Sequence, residues 1–295
     1  MSLTNKVALV TGASSGIGAA IAIKFTEEGA RVTIVGRNEI KLKNIAEICE
    51  KRGSKPLTII ADVSKDADAK KIVTETINFF GRLDILVNNA GIGHSASILD
   101  DKAMEVYDKV ISTNLRAPVY LTHLAAGYLI ETKGNVINIS SIAAHSVLSK
   151  TSFSYCTSKA GLDHFTRNIA FELGSKGVRV NAINPGPVKT DIIENTGANA
   201  AATSRIHEVM KNTTVLNRVA DAEEIGDLAV FLASDKARSI TGSTLVTDNA
   251  PIDIRFLIWA KLYRVLKCSK IGVNKDLDTE YSSDIFFCIF SLKSH

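Results

Sequence analysis

The chain has 295 residues, 45% of them hydrophobic, and a formal net charge of +4 at pH 7. That is apolar material enough for one large core, and the charge is spread along the chain, which excludes the basic stripe of a nucleic-acid binder. Cys49, Cys156, Cys268 and Cys288 form no CxxC pair and the six histidines have no metal-ligand spacing, so neither a disulfide framework nor a metal site is expected.

Strand-like runs begin almost at once, at Val7 to Val10, with no apolar leader before them. Further runs follow at Arg31 to Val35, Leu57 to Ile60, Ile85 to Val87, Asn135 to Ile139, Arg179 to Ile183 and Thr244 to Val246. Helical patterns fall between them, among them Gly16 to Glu28, Ile40 to Lys51, Lys65 to Phe80 and Cys156 to Leu173. Strand and helix in alternation predict a parallel sheet covered on both faces. Right-handed crossovers leave a doubly wound sheet as the natural topology. The expected fold class is therefore α/β: one Rossmann-type domain over residues 1–250 with about seven parallel strands. No apolar run reaches the roughly 18 residues of a membrane span. Reduced thiols and a cytoplasmic setting are the simplest expectation.

The first strand runs into Thr11-Gly12-Ala13-Ser14-Ser15-Gly16-Ile17-Gly18 and then a helix. Glycines let the main chain approach a pyrophosphate, and the helix end presents free N–H groups to the anion. No Lys-Ser/Thr pair follows the last glycine, which argues against a nucleoside-triphosphate loop. The alternative is a glycine turn that only tightens a strand-helix junction. The second strand ends at Gly36-Arg37-Asn38, where a carboxylate would select NAD through its ribose hydroxyls. None is present. Arg37 offers a cation for a 2′-phosphate, so NADP is favoured over NAD. The alternative is a solvated Arg37, with cofactor choice set elsewhere.

Tyr155 and Lys159 stand four residues apart in a helical pattern, on one face and one turn apart. A free tyrosine ionises near pH ~10. A neighbouring ammonium and an oxidised nicotinamide would favour the phenolate and suit it to acid/base work. Ser140 and Ser141 close the fifth strand, where ligands gather in such sheets, and could bond a substrate carbonyl.

In the company of these residues the sequence resembles the short-chain dehydrogenase/reductase family over about residues 4–248. The resemblance rests on Thr11 to Gly18, Ala61-Asp62-Val63, Asn88-Asn89-Ala90-Gly91, Asn114, Ile139-Ser140-Ser141, Tyr155 to Lys159, and Asn184-Pro185-Gly186-Pro187-Val188-Lys189-Thr190. It implies hydride transfer between a nicotinamide and a small carbonyl or alcohol, with Tyr155 as acid/base and Ser141 polarising the substrate. Lys159 would bind the nicotinamide ribose, and Asn114 would kink its helix and hold a water relaying protons to Lys159. The cofactor would touch Gly12, Ser14, Ser15, Gly16, Ile17 and Gly18, then Arg37, Asn38, Asp62 and Val63. Asn88, Asn89, Ala90 and Gly91 would border its adenosine half, and Pro185, Gly186, Val188 and Thr190 its nicotinamide half; the alternative for Asn88 and Asn89 is a structural role, bonding buried backbone. Homo-oligomers, dimeric or tetrameric, are implied as well.

Two departures stand out. Ser141 lies 14 residues before Tyr155, a long interval for the family, which leaves Ser140 as a substitute. The family's Asp-Gly-Gly turn is replaced by Asp248-Asn249-Ala250. Beyond it, residues 251–295 break the pattern. Three readings of them stay open: an amphipathic helix at Ile252 to Lys267 on a membrane surface or partner, a disordered tail, or residues from an incorrect gene model. Membrane association is expected only if that tail is genuine. Asp191 to Asn217 stands where the family carries its lid, and Ile92, His94, Val147, Leu148, Phe153 and Ile192 are expected to face substrate. The alternative function is a cofactor-binding scaffold or sensor without turnover.

Overall fold

The structure, a computed structural model, describes residues 2–190 and 200–250. Seven strands run parallel in one sheet: β1 (Val7–Thr11), β2 (Arg31–Gly36), β3 (Leu57–Ile60), β4 (Ile85–Asn88), β5 (Asn135–Ile139), β6 (Arg179–Pro185) and β7 (Thr244–Thr247), in the order β3-β2-β1-β4-β5-β6-β7. The order reverses between β1 and β4. At that switch point two connections leave in opposite directions, and a crevice opens beyond the strands' carboxyl ends.

The apolar runs are continuous because both faces are covered. Val7 and Leu9 of β1 point into one core with Leu86, Val136 and Val180; Ala8 and Val10 point into the other with Ile85, Ile137 and Ile183. The second of these cores is closed by α1 (Gly16–Glu27), α2 (Glu39–Arg52) and α8 (Ala222–Ala233). The first is closed by α3 (Asp66–Phe80), α5 (Ala117–Thr132) and α6 (Phe153–Gly174). Each fully buried Val, Leu, Ile or Phe stabilises the sheet by about 1.5–3 kcal/mol. Helix α4 (Ala103–Ile111) precedes α5, and α7 (Ala200–Asn212) precedes α8.

Local rules place the ends. α2 starts at Glu39, one residue before the sequence pattern suggests, because the Asn38 side chain caps it by accepting from the Lys41 N–H at 3.0 Å. α6 starts at Phe153, three residues earlier than the pattern suggests, so Tyr155 sits in its first turn. The described residues all fall in one compact unit. No helix among them is long and apolar enough to cross a membrane. Cys49 and Cys156 are free thiols, and no described group of three or more His, Cys, Asp or Glu is placed to hold a metal. The tail at 251–295 and the first part of the lid, Ile192 included, lie outside the described residues.

Asn249 and Ala250 stand at φ +57° and +53° where the family carries two glycines. Their carbonyls accept from Leu216 and Val215, which fixes the turn. Left-handed backbone costs a residue with a Cβ roughly 1–2 kcal/mol. Ala250→Gly is therefore expected to stabilise the domain by about 1 kcal/mol, raising its melting temperature by roughly 2–4 °C in a thermal scan. A lower melting temperature would show that the turn is not strained.

Candidate active site

The crevice at the switch point is one cavity of about 570 Å³. Its floor is the turn after β1. Gly12 has φ +65°, and a Cβ there would meet Ala90 Cα at 2.8 Å. Gly18 packs still closer: a Cβ would run into the Gly12 carbonyl oxygen. It holds the turn from behind and does not border the cavity. Ser15 precedes α1 with extended backbone, its side chain makes no capping bond, and the helix has no acid in its first turn. The cavity thus meets a positive helix end that no side chain neutralises, the environment a pyrophosphate takes.

Thr11 ties this turn to β4, a role its motif alone does not reveal. Its hydroxyl donates to the Val87 carbonyl and accepts from the Asn89 and Ala90 N–H groups, at 3.0–3.2 Å. The Asn89 amide then donates to the carbonyls of Thr11 and Gly12. Asn88, expected beside the adenosine, turns away: it is 2% exposed and donates to Asn138 Oδ1 at 2.9 Å and to Thr122 Oγ1. Its place in the motif is structural.

At one end of the cavity stand Arg37, Asp62 and Val63. The Arg37 side chain is 67% exposed and lies 4.0 Å from the Asp62 carboxylate, a loose pairing that leaves most of its donors free. Burial opposes ionisation of Asp62, but hydrogen bonds from Ser64 and the charge of Arg37 outweigh it and hold the carboxyl below its usual range. Asn38 does not line the cavity, because its side-chain oxygen is spent on capping α2. At the other end Pro185, Gly186, Val188 and Thr190 form the wall, with Thr190 packed against Gly16.

Tyr155 and Lys159 enter from α6. The Lys159 ammonium lies 5.7 Å from the Tyr155 ring centroid and donates to the Ile139 carbonyl at 2.8 Å. The two serines lie just past the end of β5, in chain that is still extended at Ser141, and their side chains diverge. Ser141 lines the cavity beside Tyr155, where it favours the phenolate, and accepts from the Ala143 N–H at 3.1 Å. Ser140 donates instead to the Lys159 carbonyl at 3.3 Å.

The electrostatics differ from what spacing suggests. Burial raises the Tyr155 phenol above its usual value, and Ser141 offsets this only in part. Burial also pushes Lys159 down, to about 8, against the opposing charge of Asp163. A lysine that must itself be desolvated is a weak lever on its neighbour. The further charge that would favour the phenolate is that of an oxidised nicotinamide.

Asn114 is fully buried in a π-helical turn, Ser112–Arg116, between α4 and α5. Its Oδ1 accepts from the Ile92 N–H at 2.8 Å, and its Nδ2 donates to the Ile92 carbonyl and to Ser158 Oγ. This two-way grip stitches the turn to the loop after β4 and accounts for the local widening of the helix. Asn114 does not line the cavity. A Cβ at Gly91 would stand 3.5 Å from Asn114 Oδ1 and 3.7 Å from Lys159 Nζ, so both border the space that residue leaves open.

Of the residues expected to face substrate, Ile92, His94 and Leu148 line the cavity. Val147 is 85% exposed, and Phe153 stacks on Tyr107 away from it. Ile206 and Met210 of α7 complete the apolar wall.

A phosphate cradle facing a Ser-Tyr-Lys group across one crevice is the arrangement of a dinucleotide-linked oxidoreductase. The family model described as "Enoyl-(Acyl carrier protein) reductase" matches residues 12–249. The chain is 38% identical over 258 residues to the short-chain dehydrogenase/reductase FrzI of a Cladobotryum species, covering 86% of this chain and 98% of that one. It is 34% identical over 252 residues to the A-factor type gamma-butyrolactone 1′-reductase (1S-forming) of Streptomyces virginiae, covering 83% and 95%. A Caenorhabditis elegans short-chain dehydrogenase/reductase solved with its cofactor superposes with a TM-score of 0.80 at 31% identity, over 84% and 96%. The chain belongs to the short-chain dehydrogenase/reductase family.

Proposed function

We propose that the protein is an NADP-dependent oxidoreductase that reduces a carbonyl or oxidises a secondary alcohol. The observation that carries this reading is that Ser141, Tyr155 and Lys159 line the same cavity as the Gly12 cradle, with the Lys159 ammonium 5.7 Å from the Tyr155 ring centroid. The cavity fits a nicotinamide dinucleotide: the uncapped α1 end suits its pyrophosphate, and Arg37 with Ser14 suits a 2′-phosphate. Asp62 and Val63 would border the adenine, Ala90 and Gly91 its ribose, and Pro185 to Thr190 the nicotinamide. When bound, the dinucleotide supplies or accepts the hydride.

The protein's own groups do the rest. Ser141 donates to the substrate oxygen and orients it toward Tyr155. Tyr155, protonated at neutral pH, gives its proton to the oxygen of a reduced carbonyl and takes it back in the reverse direction. Lys159 would hold the ribose hydroxyls, and it keeps a positive charge beside the phenol. Asn114 fixes the loop that borders Lys159, leaving one Oδ1 lone pair for a relaying water. The apolar wall of Ile92, Leu148, Ile206 and Met210 favours a moderately hydrophobic substrate. The Streptomyces virginiae relative, named a reductase, supports the reductive direction.

Arg37 sets the cofactor preference. Fluorescence titration of the full chain should find NADPH bound more tightly than NADH. In Arg37→Ala, NADPH affinity should fall by about 10–100-fold, the worth of a charge-assisted phosphate contact of roughly 1.5–3 kcal/mol. NADH affinity should barely change. Equal losses for both would assign Arg37 to the general field of the site and end the NADP reading.

A further inference from the structure

Behind the Tyr155–Lys159 face, α6 carries a second polar cluster that the proposed reaction does not touch. Asp163 follows Lys159 by one helical turn and is 1% exposed. Its Oδ2 accepts from Asn184 Nδ2 at 2.8 Å and lies 3.2 Å from His145 Nε2. Asn184 Nδ2 also donates to the Ser141 carbonyl at 3.1 Å. His145 closes the 3₁₀ turn, Ile142–Ala144, that Ser141 opens. One carboxylate is thereby joined to both ends of the Ser141 turn.

The cluster is not explained by packing. The second oxygen of Asp163, Oδ1, is buried and accepts no hydrogen bond. A buried carboxylate with half its acceptor capacity unused is destabilising, and a neutral side chain of the same shape would be better tolerated. What an acid adds here is charge, and Lys159 is the cation it acts on. The other ionisable group beside Lys159 is Tyr155, on the same helix. From β5 the Ile139 carbonyl faces it, and across the space at Gly91 the Asn114 amide, neither of which titrates.

We propose that Asp163 is a positioning residue: it ties the Ser141 turn to the helix that carries Tyr155 and Lys159, and it holds a negative charge one turn behind the Lys159 ammonium. This rests on the oxidoreductase reading above. His145 is the partner of Asp163 on the solvent side, its side chain 48% exposed, and Asn184 is the partner on the sheet side.

Asp163→Asn keeps the shape and removes the charge. Its kcat should fall on the order of 10–100-fold, the scale of a misplaced reacting group, with NADPH affinity within about threefold of wild type. The Lys159 amine should titrate near 8 in the wild type and at lower pH in the variant, because a negative neighbour that favoured the ammonium is gone. NMR of ¹³Cε-lysine protein reads this without turnover, with Lys159→Arg assigning the signal. A folded variant with an unmoved Lys159 midpoint, or with kcat and cofactor affinity lost in equal measure, overturns the proposal. If Asp163→Asn loses cooperative unfolding, His145→Ala decides: a lower kcat at unchanged NADPH affinity supports the tether, and an unchanged kcat overturns it. A wild-type chain that turns over no carbonyl sinks the oxidoreductase reading instead, and the Lys159 midpoint still decides the charge coupling.

Discussion

Tyr155→Phe is expected to lower turnover by about 10²–10⁴-fold, the contribution of one positioned acid/base. Cofactor affinity should stay within about threefold, or ~0.7 kcal/mol. The substitution removes one oxygen and leaves the ring that lies over Lys159. Ser141 keeps its bond from the Ala143 N–H and so stays in place. A steady-state assay following reduced-nicotinamide absorbance, paired with a fluorescence titration, separates chemistry from binding. Unchanged turnover would remove Tyr155 from the reaction. A parallel loss of binding would mean that the hydroxyl holds the cofactor and not the proton. A scaffold or sensor without turnover would show binding in both proteins and rate in neither.

Gly12→Ala should have the largest effect on binding. The residue is left-handed at φ +65°, which costs an alanine roughly 1–2 kcal/mol. Its Cβ would also press on the Ala90 backbone at 2.8 Å, and overpacking of that kind costs about 1–3 kcal/mol. The sum, about 2–5 kcal/mol, falls within the ordinary stability of about 5–15 kcal/mol, so the variant should fold. The turn must shift to relieve the clash, and its carbonyls are the ones Asn89 grips. Urea unfolding should show the destabilisation, and NADPH affinity should fall by about 100-fold or more, ~2.7 kcal/mol. Wild-type affinity in a folded Gly12→Ala protein would place the pyrophosphate elsewhere.

Much of this arrangement is legible in the residues because it is local. The runs at Val7 to Val10 and Asn135 to Ile139 read as strands buried on both faces, and the sheet covers both. Tyr155 and Lys159 share a face because 3.6 residues make a turn. What is not legible depends on partners distant in sequence. Ser140 and Ser141 are equivalent as letters; only the way the chain leaves β5 decides which of them faces Tyr155. Asn38 stands in a cofactor motif yet caps α2, because its side chain reaches its own helix first. Asn88 and Asn89 are adjacent, but one bonds toward β5 and α5 and the other toward the phosphate turn. The balance of burial against charge at Tyr155 requires the desolvation of both partners, which spacing does not carry. Asp163 and His145 pair across 18 residues, with no motif to mark them. Asn249 and Ala250 do leave a trace, since the loss of two glycines is visible, but that the backbone stays left-handed without them is not.

The central claim is that hydride moves in the crevice between the Gly12 turn and Tyr155. The most direct measurement supplies NADPH deuterated at the transferable position of its nicotinamide, with a panel of moderately hydrophobic ketones and aldehydes, and weighs the alcohols formed. The account predicts an alcohol carrying one deuterium on its carbinol carbon, formed by the wild type and about 10²–10⁴-fold more slowly by Tyr155→Phe. Tight NADPH binding with no deuterated alcohol from any carbonyl would contradict it and leave a cofactor-binding protein without this chemistry.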